Sequence, residues 1–408
     1  MYSAAAEEGS FLIRKTMLRP PRLRTLDVDA EERRVTWTEL FYDLVFVVAV
    51  AGLGHRLLED ASWAGFWSFA GLFVPLWWAW AGFTFYADRY DTDDLGQRLL
   101  AVAQMVTVAL MAASISGGAA EPLIAYALSF VAARTILIVM YLRARRHVPE
   151  TRDLVTGYTK GMSLAVAFWL VSVFVPEPFR YVLWAIGLAV DFATPYRLRR
   201  VQATVPLDVA HLPERFGLFT ILVLGESIAA VVAGLDEELW TSSATVVAVF
   251  AVLITTGLWW IYFDNLDGTV VRRTADQQKA WKPTAWIYGH LPLVIALVMT
   301  AIGLEHAIVA VEHHTLPPAE LWLLIGGLAL AMATLALIQG ATASGPPGSA
   351  SAVRQTWITR LRLAGAVLVV LLGLILGGGS PIVLVVALAG VCALQVAGDV
   401  LIADQINA

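Results

Sequence analysis

Twelve times along this 408-residue chain an apolar run recurs that is long enough to cross a bilayer. A helix of about 20 residues spans the roughly 30 Å hydrocarbon core. The runs fall near 36–54, 63–86, 98–117, 121–142, 157–175, 179–195, 213–234, 241–263, 284–304, 319–340, 361–378 and 380–401. In hydrocarbon every backbone amide must be satisfied within its own segment, so each run is expected to be a helix. Composition agrees: 58% of the residues are hydrophobic and 15% are charged, against about 25% charged in a soluble domain. The expected fold is an all-α polytopic membrane protein with about twelve transmembrane helices.

Charge between the runs orients them. With the N-terminus in the cytoplasm, 25 of the 28 Lys and Arg residues fall in inner segments. Two, Arg56 and Arg180, fall in outer loops, and Arg134 lies within a span. Basic residues concentrate on the cytoplasmic side of membrane proteins, so both termini are expected there. A net charge of −5 is too small to imply nucleic acid as a partner. The lone cysteine, Cys392, excludes an intrachain disulfide and a thiolate metal site. The first 36 residues are charged and run into Glu31-Glu32-Arg33-Arg34, which does not read as a cleavable signal.

The halves carry related elements. Glu39-Leu40-Phe41-Tyr42-Asp43 in the first run and Glu214-Arg215-Phe216-Gly217-Leu218 in the seventh share Glu-x-Phe at an offset of 175. Tyr86-Ala87-Asp88 and Tyr262-Phe263-Asp264 are offset by 176, and Leu-Trp-Trp occurs at 76–78 and 258–260. Two parallel six-helix repeats are the expected organisation. The division is a cytoplasmic segment 1–35, a first half 36–196 and a second half 197–402, with a flexible cytoplasmic loop at 341–360.

Ionisable groups in hydrocarbon cost several kcal/mol, so each needs a reason. Glu39 and Asp43, spaced i, i+4, share a helical face. Two carboxylates so close resist ionising together and could share a proton or a cation. Pairing with Arg33, Arg34 or Arg98 is the structural alternative. Glu226 sits about 20 Å along the seventh run at ~1.5 Å per residue, between Gly225 and Ser227, small neighbours that permit close helix approach. Arg134 needs an acid, with Glu226, Asp43 and Asp191 as candidates. These four, Glu39, Asp43, Glu226 and Arg134, are the expected ion- or proton-handling set. A transport reading asks them to line one solvated cavity.

His211, Glu214 and Arg215 open the seventh run and, with Asp88 and Asp264, form a candidate gate or relay. A helix cap is the plainer reading of His211 and Glu214. Asp191 and Asp399 read as interfacial, and His290 as a hydrogen-bonded helix contact. Most of the fifteen tryptophans read as interfacial belt or helix packing. Glu305-His306 and Glu312-His313-His314 recur at i, i+7 but lack tight ligand spacing, so no metal or other cofactor is expected. No enzyme signature emerges.

The residues also resemble a known family. Thr36-Trp37-Thr38-Glu39-Leu40-Phe41-Tyr42-Asp43-Leu44-Val45-Phe46-Val47-Val48 resembles the opening signature of the bacterial low temperature requirement protein A family. Glu214-Arg215-Phe216-Gly217-Leu218-Phe219-Thr220 with Leu224-Gly225-Glu226-Ser227 resembles its second signature, and Arg19-Pro20 and Asp88-Arg89-Tyr90 also fit. The resemblance runs over about residues 19–400. It implies a link to growth in the cold and carries over no defined biochemical activity. Glu39-x-Phe41-x-Asp43-x-x-Phe46 is also similar to the first-helix motif of a lysosomal and bacterial potassium-channel family built from six-helix repeats. Tyr42 stands where that motif has serine, and Leu218 where its second copy has aspartate.

The resulting expectation is a proton- or ion-coupled transporter or channel-like permease of the bacterial plasma membrane. An intramembrane lipid-acting enzyme and a non-catalytic scaffold or sensor linked to cold growth stand as alternatives. Expected partners are membrane lipid, a small solute or ion, and a second copy of the chain as a homodimer.

Overall fold

The computed structural model describes residues 20–23, 35–91, 94–115, 121–205, 211–237, 240–265, 281–342 and 349–407. Among the described residues, twelve helices of 19 residues or more dominate. They are α1 (Trp37–Glu59), α2 (Trp63–Arg89), α3 (Leu95–Ile115), α4 (Pro122–His147), α5 (Arg152–Ser172), α6 (Phe179–Arg197), α7 (His211–Glu237), α8 (Ser242–Phe263), α9 (Trp281–Val309), α10 (Pro318–Thr342), α11 (Ala350–Leu376) and α12 (Pro381–Asn407). The only extended pairing among the described residues is two residues long: β1 (Arg22–Leu23) runs antiparallel to β2 (Tyr90–Asp91).

Eleven of the helices are long and apolar enough to cross a membrane. The protein is therefore an all-α polytopic membrane protein. The helix outside that set is α6, at the sixth expected position. It holds Arg180 and Asp191 within 19 residues, which dilutes its apolar character. The helix starts follow local chemistry. Thr36 precedes α1, and Glu39 three residues on completes a capping box. Thr241 and Ser349 accept from the backbone N–H of Ala244 and Ala352 at the starts of α8 and α11. Within the expected 341–360 loop, residues 341–342 close α10, Ser349 caps α11, and 350–360 are helical. Its residues 343–348 lie outside the described set, as do Arg33 and Arg34.

The chain divides into two units. One comprises residues 1–52 and 75–212, the other residues 53–74 and 213–408. Within the first unit α3 packs on α4, α4 on α5 and α5 on α6. Within the second, α9 packs on α10, α10 on α11 and α11 on α12, and α8 also packs on α12. Without a hydrophobic force between helices in lipid, small residues set the distance of approach. Gly303 of α9 and Gly327 of α10 show this. A Cβ on Gly303 would stand 2.5 Å from Leu324 Cα, and one on Gly327 2.7 Å from the Thr300 amide.

Candidate functional site

The first unit carries two neighbouring groups of buried charge. The first grows from the start of α1. Glu39 accepts from the Thr36 amide at 2.9 Å and the Thr36 hydroxyl at 2.8 Å, while Thr36 Oγ1 accepts from the Glu39 amide at 3.3 Å. This reciprocal box pins the Glu39 carboxylate at the helix end. One turn along the same face, Asp43 is fully buried and accepts from Trp80 Nε1 of α2 at 2.7 Å. Two turns on from Trp80, α2 presents Asp88, also fully buried.

His211, the first residue of α7, sits between the acids of both helices. Its Nδ1 lies 3.2 Å from Asp88 Oδ1 and its Nε2 3.4 Å from Glu39. All three side chains are buried. A neutral imidazole donates through one nitrogen only. Both contacts become hydrogen bonds only when the trio holds one further proton, on the ring or on a carboxyl. Such a proton would be shared among His211, Glu39 and Asp88, the two carboxylates lying within 3.4 Å of the imidazole nitrogens.

The neighbouring residue leads to the second group. Arg89 Cζ lies 5.7 Å from the Tyr158 ring centroid. Tyr158 stacks on Tyr141 at 5.5 Å, and Tyr141 meets Tyr86 and Tyr90 edge-on at 5.1 and 6.1 Å. Tyr90 lies just beyond α2, and burial pushes its phenol above the ordinary range. Tyr141 and Tyr158 also line a cavity of about 20 Å³, together with Trp78, Gly82, Arg134 and Asp191. That is room for one water-sized occupant. Arg134 donates from Nη2 to Asp191 Oδ1 at 2.8 Å, with the side chains 3% and 1% exposed. Its Nε and Nη1 make no hydrogen bond among the described residues. Gly82 makes the space for them: a Cβ there would stand 2.6 Å from Arg134 Nη1.

The structure thus gives Arg134 one of its three candidate acids, Asp191, while Asp43 engages Trp80. Neither Glu39 nor Asp43 lines the Arg134 cavity. Glu226 belongs to the second unit and is half-buried. Gly225 beside it is exposed, with no atom within 4 Å of where a Cβ would be. Ser227 is buried and bonds its own helix at Val223 O, 3.2 Å away. Of the relay candidates, Asp88 and His211 come together, Arg215 is buried in the second unit, and Glu214 and Asp264 are exposed. His290 is a helix contact, with Nδ1 2.7 Å from Trp286 O and Nε2 3.0 Å from Tyr262 Oη. His306 meets Glu320 at 3.8 Å. Trp77, Trp78 and Trp80 are core residues, whereas Trp63 and Trp67 are exposed.

Asp191 and Asp399 lie inside the protein rather than at an exposed helix end. Each is fully enclosed and paired with an arginine. Arg362 stands at the start of the eleventh apolar run, where it reads as loop charge. In the structure it lies inside α11, wholly buried. It donates to Asp399, to Gln395 Oε1 at 2.7 Å and to Gln339 Oε1 at 3.3 Å. Asn265 adds a bond to Asp399 at 3.0 Å. Gln339, Gln395 and Asp399 inside apolar runs were the available signal.

A helical membrane protein that buries titratable and cationic side chains is thereby defined. The chain belongs to the bacterial low temperature requirement A protein (LtrA) family, whose sequence model matches residues 34–397. It is also similar to an uncharacterized protein of Rhizobium meliloti (strain 1021), 30% identical over 286 residues, which is 67% of this chain and 70% of that protein. No solved structure matches it.

Proposed function

We propose that the protein is a proton-coupled transporter or channel-like permease. The observation that carries this reading is His211 held between Glu39 and Asp88, three buried titratable groups from three helices. Burying such groups in a membrane bundle is costly, and they mark proton and ion pathways in transporters. Glu39, Asp88 and His211 exchange the proton. Asp43, anchored by Trp80, extends the acidic face one turn along α1. Arg134 and Asp191 form the adjoining cationic element. Glu226 is a half-buried carboxyl of the second unit and a second candidate carrier. Glu214 and Asp264, being exposed, take no part in the relay.

The same proposal places the chain in the bacterial plasma membrane with both termini in the cytoplasm, supported by the side on which 25 of 28 basic residues fall. It also treats the chain as two six-helix repeats. The motif offsets support that organisation, as does the matching order of consecutive packing, α3 to α6 and α9 to α12.

The test is proton movement. Purified protein in liposomes loaded with a pH-sensitive dye should dissipate an imposed pH gradient. His211→Gln should slow this at least about tenfold while eluting as a folded protein. Wild-type flux in folded His211→Gln would overturn the assignment. Glu226→Gln separates the two candidate carriers.

A further inference from the structure

We propose that the cavity at Arg134 and Asp191 binds one small inorganic anion of about chloride's size, and that it takes the anion together with a proton on Asp191. The proposal rests on the transport reading and names the substrate class of that function.

A buried guanidinium has five N–H donors and cannot shed its charge. Arg134 is 3% exposed and commits Nη2 to Asp191. Nε and both hydrogens on Nη1 are left without an acceptor among the described residues. Leaving such donors unmet in a buried site is costly. The space beside them, about 20 Å³, is of the size of one water or one monatomic anion. Among the residues that line it, Asp191 is the only acid, and none is Lys or His.

Charge then fixes the coupling. With Asp191 ionised, the pair is neutral, and an added anion would leave a net negative charge in an enclosed site. With Asp191 protonated, Arg134 has lost its counter-charge. An anion accepting from Nε–H and Nη1–H restores neutrality. The site therefore stays neutral only when proton and anion enter or leave together. No covalent bond changes beyond the O–H on Asp191. The titratable and charged groups facing Asp191 across the cavity are Arg134 and Tyr141 of α4 and Tyr158 of α5. The neutral phenols and the indole of Trp78 offer positive ring edges to an anion. Tyr158 also connects the cavity to Arg89 at the end of α2, next to the proton carrier Asp88. The Asp88–Arg89 dipeptide thus joins the proton cluster to the cavity.

The experiment uses the purified full chain, titrated with sodium chloride against sodium gluconate, whose anion is too large for the cavity. Melting temperature and titration calorimetry are read at pH 5.5 and 7.5. Chloride, not gluconate, should stabilise the protein, with affinity at least about tenfold higher at pH 5.5. Asp191→Asn, which imitates the protonated acid, should bind chloride equally at both pH values. Arg134→Gln should lose binding; should it fail to fold, Asp191→Asn and Gly82→Ala carry the test. Absence of chloride binding in the wild type, or an unchanged pH dependence in Asp191→Asn, overturns the proposal. In liposomes, proton flux that is indifferent to chloride sinks this proposal and leaves the transport reading standing. Chloride binding without any proton flux does the reverse.

Discussion

Both units of this protein hold a deeply buried arginine–aspartate pair, Arg134–Asp191 in the first and Arg362–Asp399 in the second, and the two pairs are built to different standards. Both aspartates lie on the sixth helix of their half, Asp191 on α6 and Asp399 on α12. In the second unit every guanidinium nitrogen is engaged: Arg362 donates to Asp399, Gln395 and Gln339, and Asn265 supports Asp399 Oδ2. In the first unit Arg134 makes one bond, to Asp191, and faces a cavity. A saturated pair fixes the packing of the helices that carry it. An unsaturated pair beside open space retains donors for something else. The two pairs differ in the number of donors left over, since residue type and burial are nearly the same.

The largest expected effect tests the saturated pair. Arg362→Met leaves the Asp399 carboxylate buried without its cation, a change that costs about 3–5 kcal/mol. Thermal unfolding in detergent should show a large drop in melting temperature. Adding Asp399→Leu should recover most of it, because apolar replacement of both partners of a buried pair is often neutral or better. A double variant as unstable as the single one would show that the glutamines, not the ion pair, dominate.

Arg134→Met should cost less than Arg362→Met by about 1–3 kcal/mol, since fewer hydrogen bonds are lost. Its double variant with Asp191→Leu should regain stability without regaining chloride binding. Equal costs for the two single variants would break the distinction between the pairs. Gly82→Ala follows. The added methyl would stand 2.6 Å from Arg134 Nη1 and 2.9 Å from Leu137 Cδ2. Overpacking of this kind costs about 1–3 kcal/mol, and the displaced guanidinium should weaken chloride binding in calorimetry.

The two pairs also differ in how readable they were. The spans were legible because a bilayer imposes a length and a composition on every helix that crosses it. Glu39, Asp88 and His211 were legible as polar residues beside apolar runs, but their meeting was not, since 172 residues separate Glu39 from His211. Arg134 stood out deep in its run, and Asp191 was one of three candidates. Arg362 and Asp399 were hidden at the edges of apolar windows, where buried and interfacial charge look alike. The α11 helix extends eleven residues ahead of its expected start at 361, and that extension places Arg362 inside the bundle. The cavity itself has no sequence signature, because it depends on Gly82 leaving room on a facing helix.

The smallest effect probes the likeness between the halves. Glu39 and Glu214 occupy matching motif positions, yet Glu39 is buried in a capping box and Glu214 is exposed. Glu39→Ala removes a capping acceptor and one contact of His211, so it should cost about 1 kcal/mol and slow proton flux. Glu214→Ala touches an exposed position and should change stability by less than about 0.5 kcal/mol with flux intact. Melting curves and dye-based flux on both variants decide the matter. Matched losses would mean that the second motif does buried work of its own, and the two halves would be functional as well as sequence counterparts. A loss confined to Glu39 would mean that one copy of a shared motif has kept the proton chemistry and the other only the helix start.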